Sequence, residues 1–520
     1  MSHVPVSVPA AKSQGTGIHW QVGQATSLFN IKFVMSSAPD TAHQGIWMED
    51  GSGGIISDLE FNGGKYGIWA GNQQFTVRNV VFNGVNTAVF ASWNWGWTFQ
   101  GVTINNCQVG FDLTTGGVAT DSQTVGAEAI IDATVTQTEI FVYSSAASNG
   151  SLDGSLVLKN IELTNVSVAV GAGDGDAVLL GSPLGIQTIN SWVQGNVYTG
   201  SIPDGRFIQG DFDYEDIPVS EFVSVKDLGA KGDGRFAYMT TACQQCDSKV
   251  IFFDAGVYII TTYIGEAWSE ISGKGDYFSD IAEGHQAELS QLPGAIILEW
   301  NVRGDDDNLA GPGMWDSHVV YVIYMFYDEG SGMDSAHCPV GSEDVSCAPA
   351  FLGLHLTSEA TAYLEGTWVW LADHDLDGDG ETQTTLFSGR GILSESRGPV
   401  WMVGTAEHHS LYQYNLVNAS DHYMGLIQTE TPYFQPVPPA PGPFGILNGY
   451  NDPAFDSDIT SAWALQGTAL YSFFNNYSQT CLTTVSCQPQ IVDISSDSEV
   501  YISSLSTIGA TYQLSVDEST

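Results

Sequence analysis

The stretch Asp58–Ile104 reads DLEFNGGKYGIWAGNQQFTVRNVVFNGVNTAVFASWNWGWTFQGVTI and contains one short pattern three times. Each copy has a polar or glycine residue followed by apolar alternation: Asp58–Phe61, Asn79–Phe82 and Gly101–Ile104. An earlier copy, Asn30–Phe33, precedes them, and the successive offsets are 28, 21 and 22 residues. This regular spacing indicates a repeat architecture.

Between the copies lie second apolar segments, Gly45–Met48, Gly67–Ala70 and Thr87–Phe90. A strand–turn–strand unit of about 22 residues predicts a parallel β-helix, because a single coil cannot bury its apolar side and must stack on others. Asn and Gly suit the bends because they tolerate positive φ. A β-sandwich would also produce short strands and turns, but not this repeated register.

The repeat fades before SIPDGRFIQGDFDYEDIPVSEF, residues 201–222, which is acidic and aperiodic. A second series of short strands comes after it. We therefore predict an all-β chain of two β-helix domains side by side. Residues 1–200 would form the first, 201–221 a linker, and 222–520 the second.

The charge balance excludes several classes of partner. The chain has 59 acidic and 14 basic residues among 520, a formal net charge of −45. Such a surface repels nucleic acid, anionic lipid and acidic polysaccharides. No run is long and apolar enough to cross a membrane. A neutral partner such as a neutral glycan is favoured.

The seven cysteines differ in context. Cys338 with Cys347, and Cys481 with Cys487, are local pairs in loop-like sequence, and we predict a disulfide for each. Cys107 lies in an apolar-alternating segment and is expected to be a buried thiol. The remaining C-x-x-C has no second pair for a zinc site. Four N-x-S/T sequons permit glycosylation: Asn149, Asn165, Asn418 and Asn476.

Glu407 and Glu430 are the candidate catalytic pair. They stand 23 residues apart, about one repeat, in a segment rich in aromatic, His, Asn and Gln side chains. Stacked coils would place them on neighbouring coils of one wall, and two carboxylates on an aromatic wall suit glycosidic-bond cleavage. Coils about 4.8 Å apart permit the retaining separation if the side chains run parallel, and the inverting one if they diverge.

Aromatic and histidine side chains near the pair are candidates for binding sugar. Tyr433 and Phe434, with the polyproline-like loop Pro432–Pro443, are expected to bury Glu430 and to form a cleft wall. His408 and His409 are placed to tune Glu407. Tryptophan rings elsewhere could stack on sugar faces, although core packing is the alternative for some of them. The candidate substrate-binding residues are Trp93, Trp95, Trp97, His408, Tyr433 and Phe434.

One acidic segment has some features of a metal site. Asp375–Glu381 resembles the start of a calcium loop, but the twelfth position is Leu386 and no flanking helices are evident. We interpret it as an acidic turn and expect neither a metal nor another cofactor.

Long stretches of the chain resemble a known family. They include HQGIWMEDGSGG, WNWGWTFQGVTINNCQVGFDLTTGG, VKDLGAKGDG, AYLEGTWVWLADHDLD, GPVWMVGTAEHH and HYMGLIQTETPYFQP. These stretches resemble the fungal exo-β-1,3-glucanases, or glucan 1,3-β-glucosidases, of glycoside hydrolase family 55. That family has two tandem, right-handed, pectate-lyase-like β-helices.

The resemblance implies an extracellular, inverting exo-hydrolase that releases glucose from the non-reducing end of β-1,3-glucan. It implies that Glu430 is the general acid and that Glu407 helps to hold the attacking water. Gln24 and Ser52 match first-domain groups that hold the same water, and the site would lie between the domains. We expect a monomer with β-1,3-glucan as its partner, and neither nucleic acid nor membrane.

The chain departs from the family pattern at its start. MSHVPVSVPAAKSQGTG has no apolar signal-peptide core, and about 14 residues stand where relatives have a long leader and entry strand. We interpret the chain as shortened relative to the family. A catalytically impaired glucan-binding β-helix is therefore one alternative. A polysaccharide lyase is another, but it would need calcium and a basic subsite for uronates.

Overall fold

The structure is a computed structural model of the 520-residue chain. It describes residues 4–7, 15–22, 26–51, 53–114, 125–145, 154–172, 177–195, 222–224, 226–227, 250–252, 258–259, 281–282, 296–303, 313–315, 318–321, 324–327, 330–333, 338–342, 347–348, 350–371, 382–438, 442–443 and 462–516. The sequon Asn149, the C-x-x-C at Cys243 and Cys246, and the turn Asp375–Glu381 lie outside these ranges.

Among the described residues, thirteen strands precede residue 195: β1 (Val4–Ser7), β2 (Gly15–Val22), β3 (Thr26–Val34), β4 (His43–Gly51), β5 (Gly54–Asn62), β6 (Tyr66–Gly71), β7 (Gln74–Asn83), β8 (Thr87–Asn105), β9 (Val109–Asp112), β10 (Val125–Thr136), β11 (Ile140–Ser144), β12 (Ser155–Ala172) and β13 (Ala177–Gln194). The later strands are β14 (Phe222–Ser224), β15 (Val250–Phe252), β16 (Tyr258–Ile259), β17 (Ile281–Ala282), β18 (Ile296–Trp300), β19 (Gly313–Trp315), β20 (His318–Tyr321), β21 (Tyr324–Tyr327), β22 (Gly330–Met333), β23 (Leu352–Leu356), β24 (Ala362–Leu371), β25 (Arg390–Ser394), β26 (Val400–Glu407), β27 (Tyr412–Leu416), β28 (His422–Glu430), β29 (Ala462–Tyr471), β30 (Gln488–Gln490), β31 (Asp493–Ile494), β32 (Val500–Ile508), β33 (Ala510–Tyr512) and β34 (Ser515–Val516). A 3-10 helix spans Gln479–Thr484.

The chain divides into two compact units. The first comprises Met1–Ile208 with Gln466–Ala469 and Ile502–Ser506, and the second comprises the remainder. The predicted domain limits stay a prediction, because residues 196–221, which contain the predicted linker, lie outside the described residues.

The first unit consists of stacked parallel coils. One ladder runs β3–β5–β7–β8–β10–β12, and a second runs β2–β4–β6–β8–β9–β11. The pairings along both ladders are parallel, and the repeated segments occupy equivalent registers. The predicted parallel β-helix is therefore confirmed for this unit.

The interior of these coils is a ladder of apolar side chains. Phe33 lies opposite Phe61, Phe61 opposite Phe82, and Phe82 opposite Ile104. All four are fully buried, and the first two ring pairs stack with centroids 4.7 and 4.9 Å apart. Burying one such side chain contributes about 1.5–3 kcal/mol. The stack explains why the apolar fourth position of each copy recurs.

The first residue of each copy forms the bend. Asn30, Asp58, Asn79 and Gly101 have φ of 59°, 56°, 48° and 71°. This left-handed region is unfavourable for most residues, and Asn, Asp and Gly tolerate it best. The recurring polar residue at this position is thus a backbone requirement.

The parallel ladder ends in an antiparallel hairpin that the repeat does not predict. β13 pairs with β12 in antiparallel orientation, with register shifts near Val166 and Val170. Several apolar side chains of β13 are exposed, including Leu180 and Leu184. This strand therefore does not add another buried coil.

The second unit repeats the same architecture. β20, β24, β26 and β28 pair in parallel, and so do β18, β23, β25 and β27. Each coil therefore contributes one strand to each sheet. The coil that contains β25 and β26 precedes the coil that contains β27 and β28.

Both predicted disulfides are present, Cys338–Cys347 and Cys481–Cys487, and Cys107 is a buried free thiol. Those predictions are confirmed. Three sequon asparagines are described and all are exposed: Asn165, Asn418 and Asn476. Within the described ranges, no helix is long and apolar enough to span a membrane.

Candidate active site

Two neighbouring strands of the second unit end on carboxylates. β26 ends at Glu407 and β28 ends at Glu430. The strands are parallel, and the amide of His408 donates a 2.9 Å hydrogen bond to the carbonyl of Glu430. In a parallel ladder this bond places Glu407 directly opposite Glu430. The prediction that the two carboxylates lie on neighbouring coils is confirmed.

One extra residue in β28 brings the two side chains to the same face. Val400 and its partner His422 are 22 residues apart, whereas Glu407 and Glu430 are 23 apart. Between these pairs Leu426 has φ of 58°, the left-handed conformation of a bulge. Because a one-residue slip turns strand side chains to the opposite face, the bulge is what aligns the carboxylates.

Glu407 is the more deeply buried carboxylate, with 2% of its surface exposed. The Nε2 of Gln428 donates a 3.3 Å hydrogen bond to its Oε1. Trp370 lies opposite Glu407 on the preceding coil, and its ring stacks on Trp368 at 4.8 Å. Glu407 therefore lies between an amide donor and an aromatic wall.

Glu430 is more accessible, with 16% of its side chain exposed. The hydroxyl of Tyr433 donates a 2.9 Å hydrogen bond to Oε2 of Glu430. The Tyr433 ring in turn packs on Phe474 at 4.2 Å. A carboxylate at the rim with one oriented oxygen is suited to proton transfer to a bound substrate.

Tyr471 belongs to the next coil and lies beside the pair. The amide of Thr431 donates a 3.2 Å hydrogen bond to its carbonyl. Burial, together with the charges of Glu430 and Glu407, raises the pKa of Tyr471 well above its usual value. The phenol therefore stays neutral at any working pH.

His408 lies between the two carboxylates. Its Nε2 is 3.6 Å from Oε2 of Glu430 and 3.9 Å from Oε2 of Glu407. Its side chain is 6% exposed, and its ring meets Tyr433 edge to face at 5.1 Å. The backbone at His408 has φ of 64°, so the chain turns sharply at the strand end.

His409 belongs to the scaffold. Its Nδ1 lies 3.1 Å from the Ser388 hydroxyl and its Nε2 3.1 Å from the Val369 carbonyl. Burial lowers the pKa of His409 to about 3. The Nε2 therefore carries the hydrogen that it donates to the carbonyl, and the ring stays neutral.

The proline-rich segment forms turns where the sequence predicts a polyproline-like loop. The amide of Gln435 donates to the Pro432 carbonyl at 3.2 Å, and the amide of Val437 to the Phe434 carbonyl at 3.0 Å. A polyproline helix has no such internal hydrogen bonds, so that prediction is wrong for residues 432–438. The Gln435 side chain fixes the turns by donating to Thr431, Ser472 and Phe474.

Two predicted sugar-stacking rings are buried. Trp97 is fully buried, packs against Phe75 at 5.1 Å and donates from Nε1 to the Asn72 carbonyl. It is a core residue, and its prediction as a sugar platform is wrong, because a ring without exposed surface cannot stack on a ligand. Phe434 is 7% exposed and meets Phe387 edge to face at 4.8 Å, which leaves little face for a sugar.

The other predicted residues divide into two sets. Trp93 and Trp95 are partly exposed in the first unit, whereas Trp97 is buried, although strict alternation would put all three side chains on one face of β8. Gln24 and Ser52 lie outside the described residues. His408, Tyr433, Glu407 and Glu430 are brought together by the second unit.

Sequence reasoning missed four residues of this site. Gln428 lies two positions before Glu430 in β28, so strand alternation could have identified it. Trp370 lies opposite Glu407, one coil earlier, in a stretch that resembles the family. Tyr471 and Phe474 come from a later coil, and no local signal connects them with the carboxylates.

The described residues contain no cluster of three or more His, Cys, Asp or Glu side chains that could hold a metal ion. The proton-transfer groups at the site are carboxylates, an imidazole and phenols. This donor set suits acid–base chemistry on an uncharged substrate.

Comparisons with known proteins agree with the fold and with this chemistry. Residues 2–112 match the family model described as rhamnogalacturonase A/epimerase, pectate lyase-like. A protein of Cochliobolus carbonum named glucan 1,3-beta-glucosidase is 36% identical over 96% of this chain and 71% of its own length. A probable glucan endo-1,3-beta-glucosidase of Arthroderma benhamiae is 32% identical over 96% of this chain and 75% of its own length.

Two further matches differ in kind. A Penicillium expansum protein named non-secreted LysM effector LysM15 is 35% identical over 96% of this chain but over 39% of its own length. The solved structure of sacteLam55A from Streptomyces sp. SirexAA-E matches 97% of this chain and 87% of that protein, at 14% identity and a TM-score of 0.34.

Proposed function

This chain belongs to glycoside hydrolase family 55, the family of the glucan 1,3-β-glucosidases, and from that membership we propose that it hydrolyses β-1,3-glucan at Glu407 and Glu430. The observation that carries the proposal is the placement of these carboxylates opposite each other at the ends of adjacent strands. Glycosidases need two carboxyl groups that flank the bond to be cleaved. The aromatic side chains around the pair suit a neutral sugar.

The two carboxyl groups have different roles in this proposal. Glu430 protonates the leaving oxygen, because it is the more accessible of the two and its Oε2 is oriented by Tyr433. Glu407 orients and activates the attacking water, because it is buried and its Oε1 is fixed by Gln428. Gln24 and Ser52 are proposed as further holders of this water on the basis of the family resemblance.

We assign inversion and the exo mode from the family resemblance. The Oε2 atoms of Glu430 and Glu407 lie 3.6 and 3.9 Å from Nε2 of His408, so they are at most about 7.5 Å apart. This limit includes the retaining separation of about 5–5.5 Å and part of the inverting range of about 6.5–9.5 Å. The relatives carry both glucosidase and endo-glucosidase names. Product analysis decides both questions.

The test is hydrolysis of laminarin by the purified chain. Glucose as the first and main product supports the exo mode, and oligosaccharides as first products contradict it. NMR of the first-formed sugar should show the α-anomer from the β-linked substrate.

Glu430→Gln and Glu407→Gln should each lower kcat at least about 100-fold, in line with the loss of a general acid or base. Glu359→Gln, an exposed carboxylate outside the site, is the matched control.

A glucan-binding protein without catalysis is the second candidate. The observation behind it is that the relatives are not all named as hydrolases, because a protein named non-secreted LysM effector LysM15 is 35% identical over 96% of this chain. If the folded chain sediments with insoluble β-1,3-glucan but releases no sugar, this second function replaces the first. Unsaturated products, which absorb in the ultraviolet, would instead indicate a lyase.

We also assign an extracellular location and a monomeric state as parts of the proposal. Two disulfides and three exposed sequon asparagines fit an oxidising, glycosylating compartment. Native mass spectrometry of the protein secreted by a fungal host tests the oligomeric state and the glycans together.

A further inference from the structure

His408 is the shared neighbour of the two carboxylates. One atom, Nε2, faces Oε2 of Glu430 at 3.6 Å and Oε2 of Glu407 at 3.9 Å. Both distances exceed a hydrogen bond, but catalytic hydrogen bonds are often long before substrate binds and shorten in the complex. A small movement of one ring would let Nε2 reach either oxygen.

The backbone and the packing hold His408 in this place. Its amide donates to the Glu430 carbonyl at 2.9 Å, and its φ of 64° turns the side chain at the end of β26. Its ring packs edge to face on Tyr433, the residue that orients Glu430. Left-handed backbone at a residue other than Gly is uncommon and costs energy, and such strain concentrates at functional sites.

The proposed hydrolysis creates a need for a proton path, and this need rests on that proposed function. In each turnover Glu430 gives its proton to the leaving oxygen, and Glu407 takes a proton as the water attacks. The cycle then ends with Glu430 ionised and Glu407 protonated, which is the reverse of its start. Before the next turnover one proton must leave Glu407 and one must reach Glu430.

We propose that His408 returns this proton from Glu407 to Glu430 between turnovers. The neutral ring accepts the proton from Oε2 of Glu407 at Nε2 and becomes an imidazolium. It then donates the same proton from Nε2 to Oε2 of Glu430 and becomes neutral again. The O–H bond of Glu407 breaks and an O–H bond of Glu430 forms, with no external acid or base. The proton then lies on Oε2, the oxygen that Tyr433 orients.

The other polar groups around the pair are poor carriers. Gln428 meets the opposite oxygen of Glu407, and its side-chain amide is neither protonated nor ionised near neutral pH. Tyr471 stays a neutral phenol because burial and both carboxylates raise its pKa. His409 is engaged with Ser388 and Val369 and resists protonation, because burial lowers its pKa to about 3. The Tyr433 hydroxyl already donates its hydrogen to Oε2 of Glu430, so its place in the site is to orient that carboxyl.

The test separates the first turnover from the later ones. His408→Gln retains a polar side chain of similar reach, but an amide cannot accept and release a proton near neutral pH as an imidazole does. With enzyme in excess over a laminari-oligosaccharide, its single-turnover rate should stay within about 3-fold of wild type. Its steady-state rate should fall at least about 10-fold, so that one equivalent of glucose appears in a burst. Added imidazole should restore the steady-state rate of His408→Ala.

The matched control is His355→Gln. His355 also lies between two carboxylates, with Nδ1 3.9 Å from Glu299 and Nε2 2.8 Å from Glu395, but it is not part of the site. Its kinetics should match wild type. If His408→Ala does not fold, as shown by its circular dichroism melting curve, His408→Gln carries the test alone.

Two outcomes overturn the proposal. In one, His408→Gln turns over like wild type. In the other, its first and later turnovers slow equally, which would mean that His408 only positions the carboxylates. Failure of the wild-type chain to release any sugar is a different result, because it rejects the proposed function itself.

Discussion

The hydroxyl of Tyr433 donates a 2.9 Å hydrogen bond to Oε2 of Glu430, three residues earlier in the chain. The same oxygen faces Nε2 of His408 at 3.6 Å, and the two rings pack edge to face. The orientation of the proposed acid is therefore set by neighbours in the turn after β28 and at the end of β26.

Tyr433→Phe should impair catalysis without unfolding the protein. The ring would keep its contacts with His408 and Phe474, but Glu430 would lose a hydrogen bond. The Tyr433 hydroxyl stabilises the carboxylate that forms as Glu430 gives up its proton, and a hydrogen bond to a charged group is worth about 1.5–3 kcal/mol, so we expect kcat on laminarin to fall about 10-fold or more. The melting temperature should change by only a few degrees.

Tyr477→Phe is the control for this substitution, because its hydroxyl bonds to Thr385 instead of to a carboxylate. Equal kcat values for Tyr433→Phe and wild type would show that this hydrogen bond does not orient the acid.

Glu128→Gln should stabilise the protein at neutral pH. Glu128 is 2% exposed and lies opposite Trp97 and Leu156 in the interior of the first unit. Burial raises its pKa well above 4.5, although the Asn94 amide donates to it. The folded state thus keeps a proton that the unfolded chain releases above pH 4.5. Wild-type stability should therefore fall as pH rises from 4.5 to the folded-state pKa, by about 1.4 kcal/mol per pH unit.

Urea unfolding at pH 4, 5.5 and 7 measures this effect. The gain from Glu128→Gln should be absent at pH 4 and grow toward pH 7. Glu162→Gln, an exposed carboxylate on β12, should show no such trend. A gain that is the same at all three pH values would contradict the assignment of a buried, protonated Glu128.

His422 should make the stability of the wild-type protein fall toward acid pH, the opposite direction to Glu128. His422→Gln should weaken this pH dependence. His422 is buried, with Nε2 2.7 Å from the Ser394 hydroxyl and Nδ1 2.7 Å from the Ser420 carbonyl. Burial lowers its pKa to about 4. The unfolded chain binds a proton below about pH 6.5 that the folded state excludes. The stability from the neutral ring is therefore complete above pH 6.5 and is lost as pH falls toward 4, by about 1.4 kcal/mol per pH unit.

Thermal unfolding between pH 4 and 7 checks this. His422→Gln should have a lower melting temperature than wild type at pH 7 and a shallower decline toward pH 4. The control is His19→Gln, because His19 is half exposed and pairs with Glu49 at the surface. Parallel pH profiles for His422→Gln and wild type would refute the assignment.

Phe61→Ala should destabilise the first unit by about 3–5 kcal/mol, because it leaves a cavity in the interior ladder. The rings of Phe33 and Phe82 stack on the two sides of Phe61. Hydrogen exchange measured by mass spectrometry should show the largest loss of protection in β3, β5 and β7. Val34→Ala, at a residue that is 41% exposed on β3, should cost less than about 0.5 kcal/mol. Uniform loss of protection across both units would contradict a local cavity effect.

Much of the fold was predictable because its determinants are local and periodic. The residues with left-handed φ at the bends, Asn30, Asp58 and Asn79, are types that tolerate this backbone. The apolar position three residues later is the buried ladder. Stacking repeats both features at each coil, so their spacing is visible in the chain.

The candidate site was predictable only in part. The 23-residue spacing predicted adjacent coils for Glu407 and Glu430, but the register also depends on a bulge at Leu426. Leucine carries no signal for left-handed backbone. Trp97 shows the same difficulty, because it looks like its neighbours Trp93 and Trp95 in sequence but points into the core.

The sequence by itself determined the stacked coils, the two local disulfides and the neighbouring positions of the carboxylates, since each depends on residues close together or one repeat apart. Only the tertiary structure decided that His408 faces both carboxylates, that Tyr433 orients Glu430, and that Tyr471 lies beside the pair. The physical reason is that these contacts depend on side-chain direction at strand ends. A single left-handed residue or a neighbouring coil sets that direction, and the apolar pattern does not record it.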